Sequence, residues 1–170
     1  MTTSFRRVTP REQDKHRTCI PLLTLKAAAG AFGDGRLVAE LNQAQEWVEP
    51  NTRHRLGQGM FVAQAVGRSM EPLIRDQDYC LFRLYEGGTR QDRVVLTMLR
   101  DEHDPETGAS FTLKRYHRKG ERIEGKEEQA IEVELRSLNS DVPNIPLRVR
   151  DENELKTVAW FLEVLTEMPE

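Results

Sequence analysis

The chain has 170 residues, 38% hydrophobic and 31% charged, with a net charge of -3, which suits one core of ordinary globular size. So small a charge excludes a global attraction to nucleic acid or to an acidic membrane, and leaves only local contacts of that kind. No run of about 18 apolar residues offers a bilayer span, and the start M-T-T-S-F-R-R-V-T-P lacks the apolar stretch of a secretory signal.

Residues 1–19 carry Arg6, Arg7, Arg11, Lys15, His16 and Arg17 against Glu12 and Asp14, and read as a flexible, solvated basic arm. Such an arm is able to touch a phosphate backbone, although a solvated charge run is the commoner outcome. Cys19 and Cys80 are the only cysteines. They fit a reduced, cytoplasmic compartment rather than a disulfide framework or a metal site.

Residues 20–59 form a second stretch. An apolar run from Ile20 to Leu25 passes into the small residues Ala27 to Ala31, which permit close backbone approach. The spacing of Leu37, Val38, Leu41, Ala44 and Val48 predicts a short helix over 36–48, capped by Asp34 or Gly35 and stopped by Pro50. Residues 51–59 read as a linker.

From residue 60 the apolar period becomes that of strands. Strands are predicted at 60–66, 79–84, 93–99, 110–118, 130–135 and 156–165. The connections expected between them are turns at Glu86–Gly88, Asp104–Gly108, Lys119–Gly120 and Asn139–Pro146. Short strands with turn signals and no intervening helices predict a compact, mainly β, largely antiparallel domain over 60–170.

Within it lies V-G-R-S-M-E-P-L-I, with Ser69 between two strands. A serine needs a base within hydrogen-bond reach before it acts as a nucleophile. The histidines, His16, His54, His103 and His117, have no evident orienting carboxylate, which weakens a Ser-His-Asp reading. A lysine serves as base if burial among apolar groups keeps it neutral. In F-T-L-K-R-Y, strand alternation puts Thr112, Lys114 and Tyr116 on one face. Two plainer readings stay open: Ser69 as a turn residue bonded to its own backbone, and Lys114 as one of an exposed basic cluster with Arg115, His117, Arg118 and Lys119. Arg115 and Arg118 are expected to be solvated. Met70 reads as an apolar wall supporting the loop and its oxyanion donors, and Pro72 as a stiffener.

V-G-R-S-M-E-P-L-I followed by a strand, and then F-T-L-K-R-Y, resembles the LexA/UmuD-type serine peptidases. So do R-S-L-N-S-D-V-P-N-I-P-L, L-K-T-V-A-W-F-L-E-V-L and, upstream, L-K-A-A-A-G-A-F. The resemblance covers roughly residues 20–165 on motif matching. It implies Ser69 as nucleophile, Lys114 as general base and Ala29–Gly30 as a self-cleaved bond, although small residues at 27–31 also serve plain packing. One departure is Gln77 before Asp78, where the family usually has glycine.

The resemblance implies a self-cleaving regulatory switch in the DNA damage (SOS) response, DNA repair or phage defence. It implies a homodimer, no cofactor and no metal. The peptide substrate is the chain's own N-terminal segment, and a protein partner acting on DNA is possible. The residues before Ala29 are too few and too charged for a helix-turn-helix domain. The alternative is a non-cleaving module of the same fold that docks a helicase, polymerase or DNA-binding partner. A leader peptidase shares the Ser-Lys chemistry but needs a membrane anchor, for which no segment is evident.

Overall fold

A computed structural model describes residues 3–32, 37–124 and 128–169. The described chain is mainly β and divides into two compact units.

The first unit comprises Met1–Val66, Asp76–Leu84 and Phe161–Glu170. Its strands are β1 (Ser4–Val8), β2 (Ile20–Thr24), β3 (Trp47–Asn51), β4 (Met60–Gln64) and β5 (Tyr79–Leu84), together with the last part of β10 (Thr157–Glu167). The helices α1 (Leu25–Phe32) and α2 (Leu37–Asn42) lie between β2 and β3 in sequence. The pairing is mixed. β3 runs antiparallel to β1 and β2, and β5 antiparallel to β4, whereas β2 pairs with β4 in parallel, Leu22 opposite Val62. Phe5, Ile20, Val48, Met60, Val62, Leu81 and Leu165 pack into its core.

Here the arm reading is corrected. Residues 4–8 form a strand with partners on both sides, β3 and, in parallel, β10. Phe5 is fully buried, and burying one phenyl ring supplies roughly 1.5–3 kcal/mol toward ordering the segment. Four basic residues of this stretch face carboxylates: Arg6 pairs with Glu49, and Arg7 with Glu46 and Glu167. Arg11 pairs with Asp14, and Lys15 with Glu12.

The helix predicted over 36–48 is shorter. It ends at Asn42, and Val48 belongs to β3, where cross-strand burial overrides helical spacing. The caps expected at Asp34 and Gly35 lie outside the described residues.

The second unit comprises Gly67–Arg75 and Tyr85–Trp160. Its strands are β6 (Val94–Met98), β7 (Phe111–Glu124), β8 (Glu128–Arg136), β9 (Ile145–Val149) and the first part of β10. They pair antiparallel in the order β10–β6–β7–β8–β9. Lys119–Gly120, expected as a turn, is instead a register shift within β7. Glycine at φ 152 tolerates the extra residue of such a bulge. Arg118, expected in solvent, pairs with Glu152 at 3.0 Å.

Candidate active site

Ser69 sits on the loop of residues 67–75, and that loop is fastened at both ends. Gly67 turns the chain with φ 95, a left-handed conformation that glycine adopts without strain. Beyond the serine, Met70 and Ile74 are buried, and the Ile74 N–H donates to the Met70 carbonyl at 2.9 Å. The loop also rests on the chain between β8 and β9. The Ser69 carbonyl accepts the N–H groups of Leu138 and Asn139, each at 2.9 Å, and Asn139 Nδ2 donates to the Arg68 carbonyl at 3.1 Å. The segment R-S-L-N-S-D therefore pins the serine through its backbone and leaves Oγ to other partners.

β7 supplies the partner. Alternation buries Thr112, Lys114 and Tyr116 on one face, as the strand period predicts. Lys114 lies opposite Val95 in the β6–β7 register, and its side chain is 1% exposed. Lys114 Nζ donates to Ser69 Oγ at 3.0 Å, inside the reach that an activating base requires. Ser69 is itself 6% exposed.

The surroundings of that nitrogen differ from the apolar pocket the sequence suggests. Nζ also donates to Thr112 Oγ1 at 2.8 Å and to Asp104 Oδ2 at 3.1 Å, so three oxygens receive the three donors of an ammonium. Asp104 is 5% exposed, and Thr112 Oγ1 donates to the same Oδ2 at 2.5 Å. Burial alone pushes the Asp104 carboxyl upward. Opposing it are the bond from Thr112, the N–H of Thr107, the charge of Lys114 and the N–H of Glu106, and the sum holds the carboxyl below the usual carboxylate range. Charge and counter-charge are thus buried together with their remaining bonds made, the condition under which a buried pair is tolerated.

Sequence reasoning missed Asp104 as a site residue and saw only a turn. The turn is present: Asp104 Oδ1 accepts the N–H groups of Glu106 and Thr107 at 2.8 and 3.0 Å. An aspartate that begins a turn ordinarily spends its side chain there. Nothing local marks its second oxygen as a lysine partner.

Met70, expected as a wall beside the serine, is 3% exposed. Ala29 and Gly30 lie in α1, with Ala29 buried and Gly30 exposed. The bond that the resemblance implies is self-cleaved is therefore a helical one. Gln77 stands at φ 71, so it keeps the left-handed conformation that glycine favours. Its N–H donates to the Ala65 carbonyl at 2.9 Å, and the Ala65 N–H donates to the Asp78 carbonyl at 2.7 Å. His117 does have a carboxylate nearby, Asp92 at 3.4 Å, but the side chain that meets Ser69 Oγ is the lysine.

The fold thus brings together, buried and in contact, the two residues that the sequence resemblance singles out, one on a loop before β5 and one on β7 of a mainly β protein. The Peptidase S24-like family model matches residues 21–162. The chain belongs to this family of LexA/UmuD-type serine peptidases, which also includes members that do not cleave. Among curated proteins nothing matches the chain. No helix of the described residues is long and apolar enough to cross a membrane.

Proposed function

We propose that this protein is a self-cleaving serine peptidase in which Ser69 is the nucleophile, Lys114 the general base and Ala29–Gly30 the bond cut. The observation that carries the reading is the 3.0 Å contact between Lys114 Nζ and Ser69 Oγ inside a buried site. In the resting arrangement the ammonium donates to Oγ. Reaction requires that the amine first release a proton to solvent. Neutral Nζ then takes the Oγ proton while Oγ bonds to the Ala29 carbonyl carbon, whose oxygen becomes the oxyanion held by backbone N–H groups near Ser69, with Met70 bracing the loop. The intermediate collapses as the C–N bond breaks and Lys114 returns the proton to the Gly30 nitrogen. Water then opens the Ala29–Ser69 ester. It gives one proton to Lys114, which hands it to Oγ, and its second proton passes to solvent as Ala29 leaves as a carboxylate.

Substrate and enzyme share a chain, so the effective concentration is high and affinity for the segment matters little. Cleavage within one chain requires α1 to uncoil; cleavage between the copies of a homodimer requires the same. The role proposed is a cytoplasmic switch in the DNA damage response or in phage defence, where loss of the N-terminal segment changes what the protein binds.

One observation favours a second reading, that of a non-cleaving module docking a helicase, polymerase or DNA-binding partner: Ala29–Gly30 is helical. Incubation of purified protein up to about pH 10, near the ordinary lysine value, separates the two. Time-dependent fragments by intact mass, one ending at Ala29 and one beginning at Gly30, are expected, and both are absent in Ser69→Ala and Lys114→Ala. A chain that stays whole throughout favours the docking module, and cleavage that persists in either variant removes the assignment of that residue.

A further inference from the structure

The turn that supplies Asp104 carries a second carboxylate, bonded to the backbone just before the nucleophile. Glu106 Oε1 accepts the Arg68 N–H at 2.8 Å. A Cβ added to Gly67 would meet that same oxygen, the far end of a flexible side chain, and push it off its seat, while the left-handed φ is what calls for glycine there. The turn is built to hold this position. Asp104 Oδ1 binds the Glu106 and Thr107 N–H groups, the Gly108 N–H donates to the Asp104 carbonyl at 2.8 Å, and the Asp104 N–H donates to the Ala109 carbonyl at 2.8 Å. Asp104 is thereby anchored to Lys114 by one oxygen and shapes the seat of Glu106 with the other.

A carboxylate oxygen on a backbone N–H makes a charge-assisted bond. It is the bond an acyl oxygen makes there as negative charge develops beside a nucleophile. Glu106 is exposed, so water is its alternative partner and its own burial does not hold it in place.

We propose that Glu106 is a resident stand-in for substrate: its carboxylate occupies the Arg68 N–H in the resting protein, and the carbonyl oxygen of an extended peptide must displace it. The inference rests on the Ser69–Lys114 reading and deepens it. It makes the turn of residues 104–108 an autoinhibitory plug, and it names a backbone carbonyl, or the anionic oxygen of a tetrahedral adduct on Ser69, as the ligand of that donor.

An alkyl fluorophosphonate tests this on the full chain without needing α1 to uncoil. Ser69 Oγ bonds to phosphorus, fluoride leaves, the Oγ proton passes to the amine of Lys114, and the phosphoryl oxygen takes the seat. Labelling followed by intact mass is expected to be about tenfold faster in Glu106→Ala than in wild type, from loss of a competing bond to a charged group. Glu106→Asp keeps the charge on a shorter reach and is expected to be accelerated likewise. Glu106→Gln, still long enough to accept the N–H but uncharged, is expected to fall between. If Ser69→Ala and Lys114→Ala abolish labelling but Glu106→Ala and Glu106→Asp label no faster than wild type, or more slowly, Glu106 is a structural anchor and the proposal falls alone. If neither wild type nor Glu106→Ala labels at Ser69, the peptidase reading falls and takes the proposal with it.

Discussion

The segment around Ser69 and the segment around Ala29 carry the two halves of one proposed reaction, and they are held by different forces. Ser69, Lys114, Thr112 and Asp104 are each at most 6% exposed and bonded to one another. Their positions come from a two-stranded register and a pinned loop. Ala29–Gly30 lies in an eight-residue helix with a glycine inside it. So short a helix is marginal alone, and Gly30 weakens it by roughly 1 kcal/mol against alanine. The groups proposed to react are fixed, and the bond proposed to be cut is helical rather than extended. Regulation of such a protein is expected to act on the weak half.

The largest effects belong to the fixed half. Ser69→Ala is expected to abolish cleavage at a stability cost of about 1 kcal/mol, because Lys114 keeps its other two acceptors. Lys114→Met is also expected to abolish cleavage, but to destabilise by ~3 kcal/mol or more, because it strands a buried carboxylate. Urea unfolding alongside mass analysis checks both. Equal stability costs for the two variants would contradict the ion-pair account.

Asp104→Ala is expected to cost a similar ~3–5 kcal/mol by leaving the ammonium without its counter-charge. The pH dependence carries a definite sign. The folded carboxyl titrates below its unfolded value, which is ~3.9. Its contribution is therefore complete above about pH 4 and is lost as pH falls through the lower folded value. The stability gap between wild type and Asp104→Asn should stay constant near neutrality and close only under acid. A gap that closes between pH 5 and 8 points to another group.

Smaller effects are expected in the weak half, with opposite signs. Thr24 Oγ1 accepts the Ala27 N–H at 3.0 Å and so caps α1. Thr24→Ala removes about 1 kcal/mol of helix stability and should hasten self-cleavage severalfold at fixed pH. Gly30→Ala meets open space at the added methyl, should stabilise the helix by a similar amount, and should slow the reaction. Both rates moving together would show that helix stability does not limit cleavage.

The smallest effect concerns Gln77. Glycine at this left-handed position relieves strain of ~1 kcal/mol, partly offset by unfolded-state entropy. Gln77→Gly is expected to raise the melting temperature by a few degrees at most and leave cleavage unchanged.

Local sequence carried much of this. Short apolar runs located β4, β5 and β6, which are buried at successive residues on both faces. The strands β8 and β10 were also found near their bounds, whereas β7 runs on to Glu124, past its expected end. Period-two alternation put Thr112 and Lys114 on one face, and the loop and strand motifs singled out Ser69 and Lys114. The strands β1, β2, β3 and β9 went unrecognised, being short and, in β2, β3 and β9, interrupted by proline (Pro21, Pro50, Pro146). Their identity comes from partners distant in the chain. The helical state of Ala29–Gly30 and the two carboxylates flanking Ser69 were likewise decided only in three dimensions. Asp104 meets Lys114, and Glu106 meets Arg68, because folding returns one turn to both sides of a serine it follows by more than thirty residues. Electrostatic pairing of that kind depends on distance through space, and sequence encodes only distance along the chain.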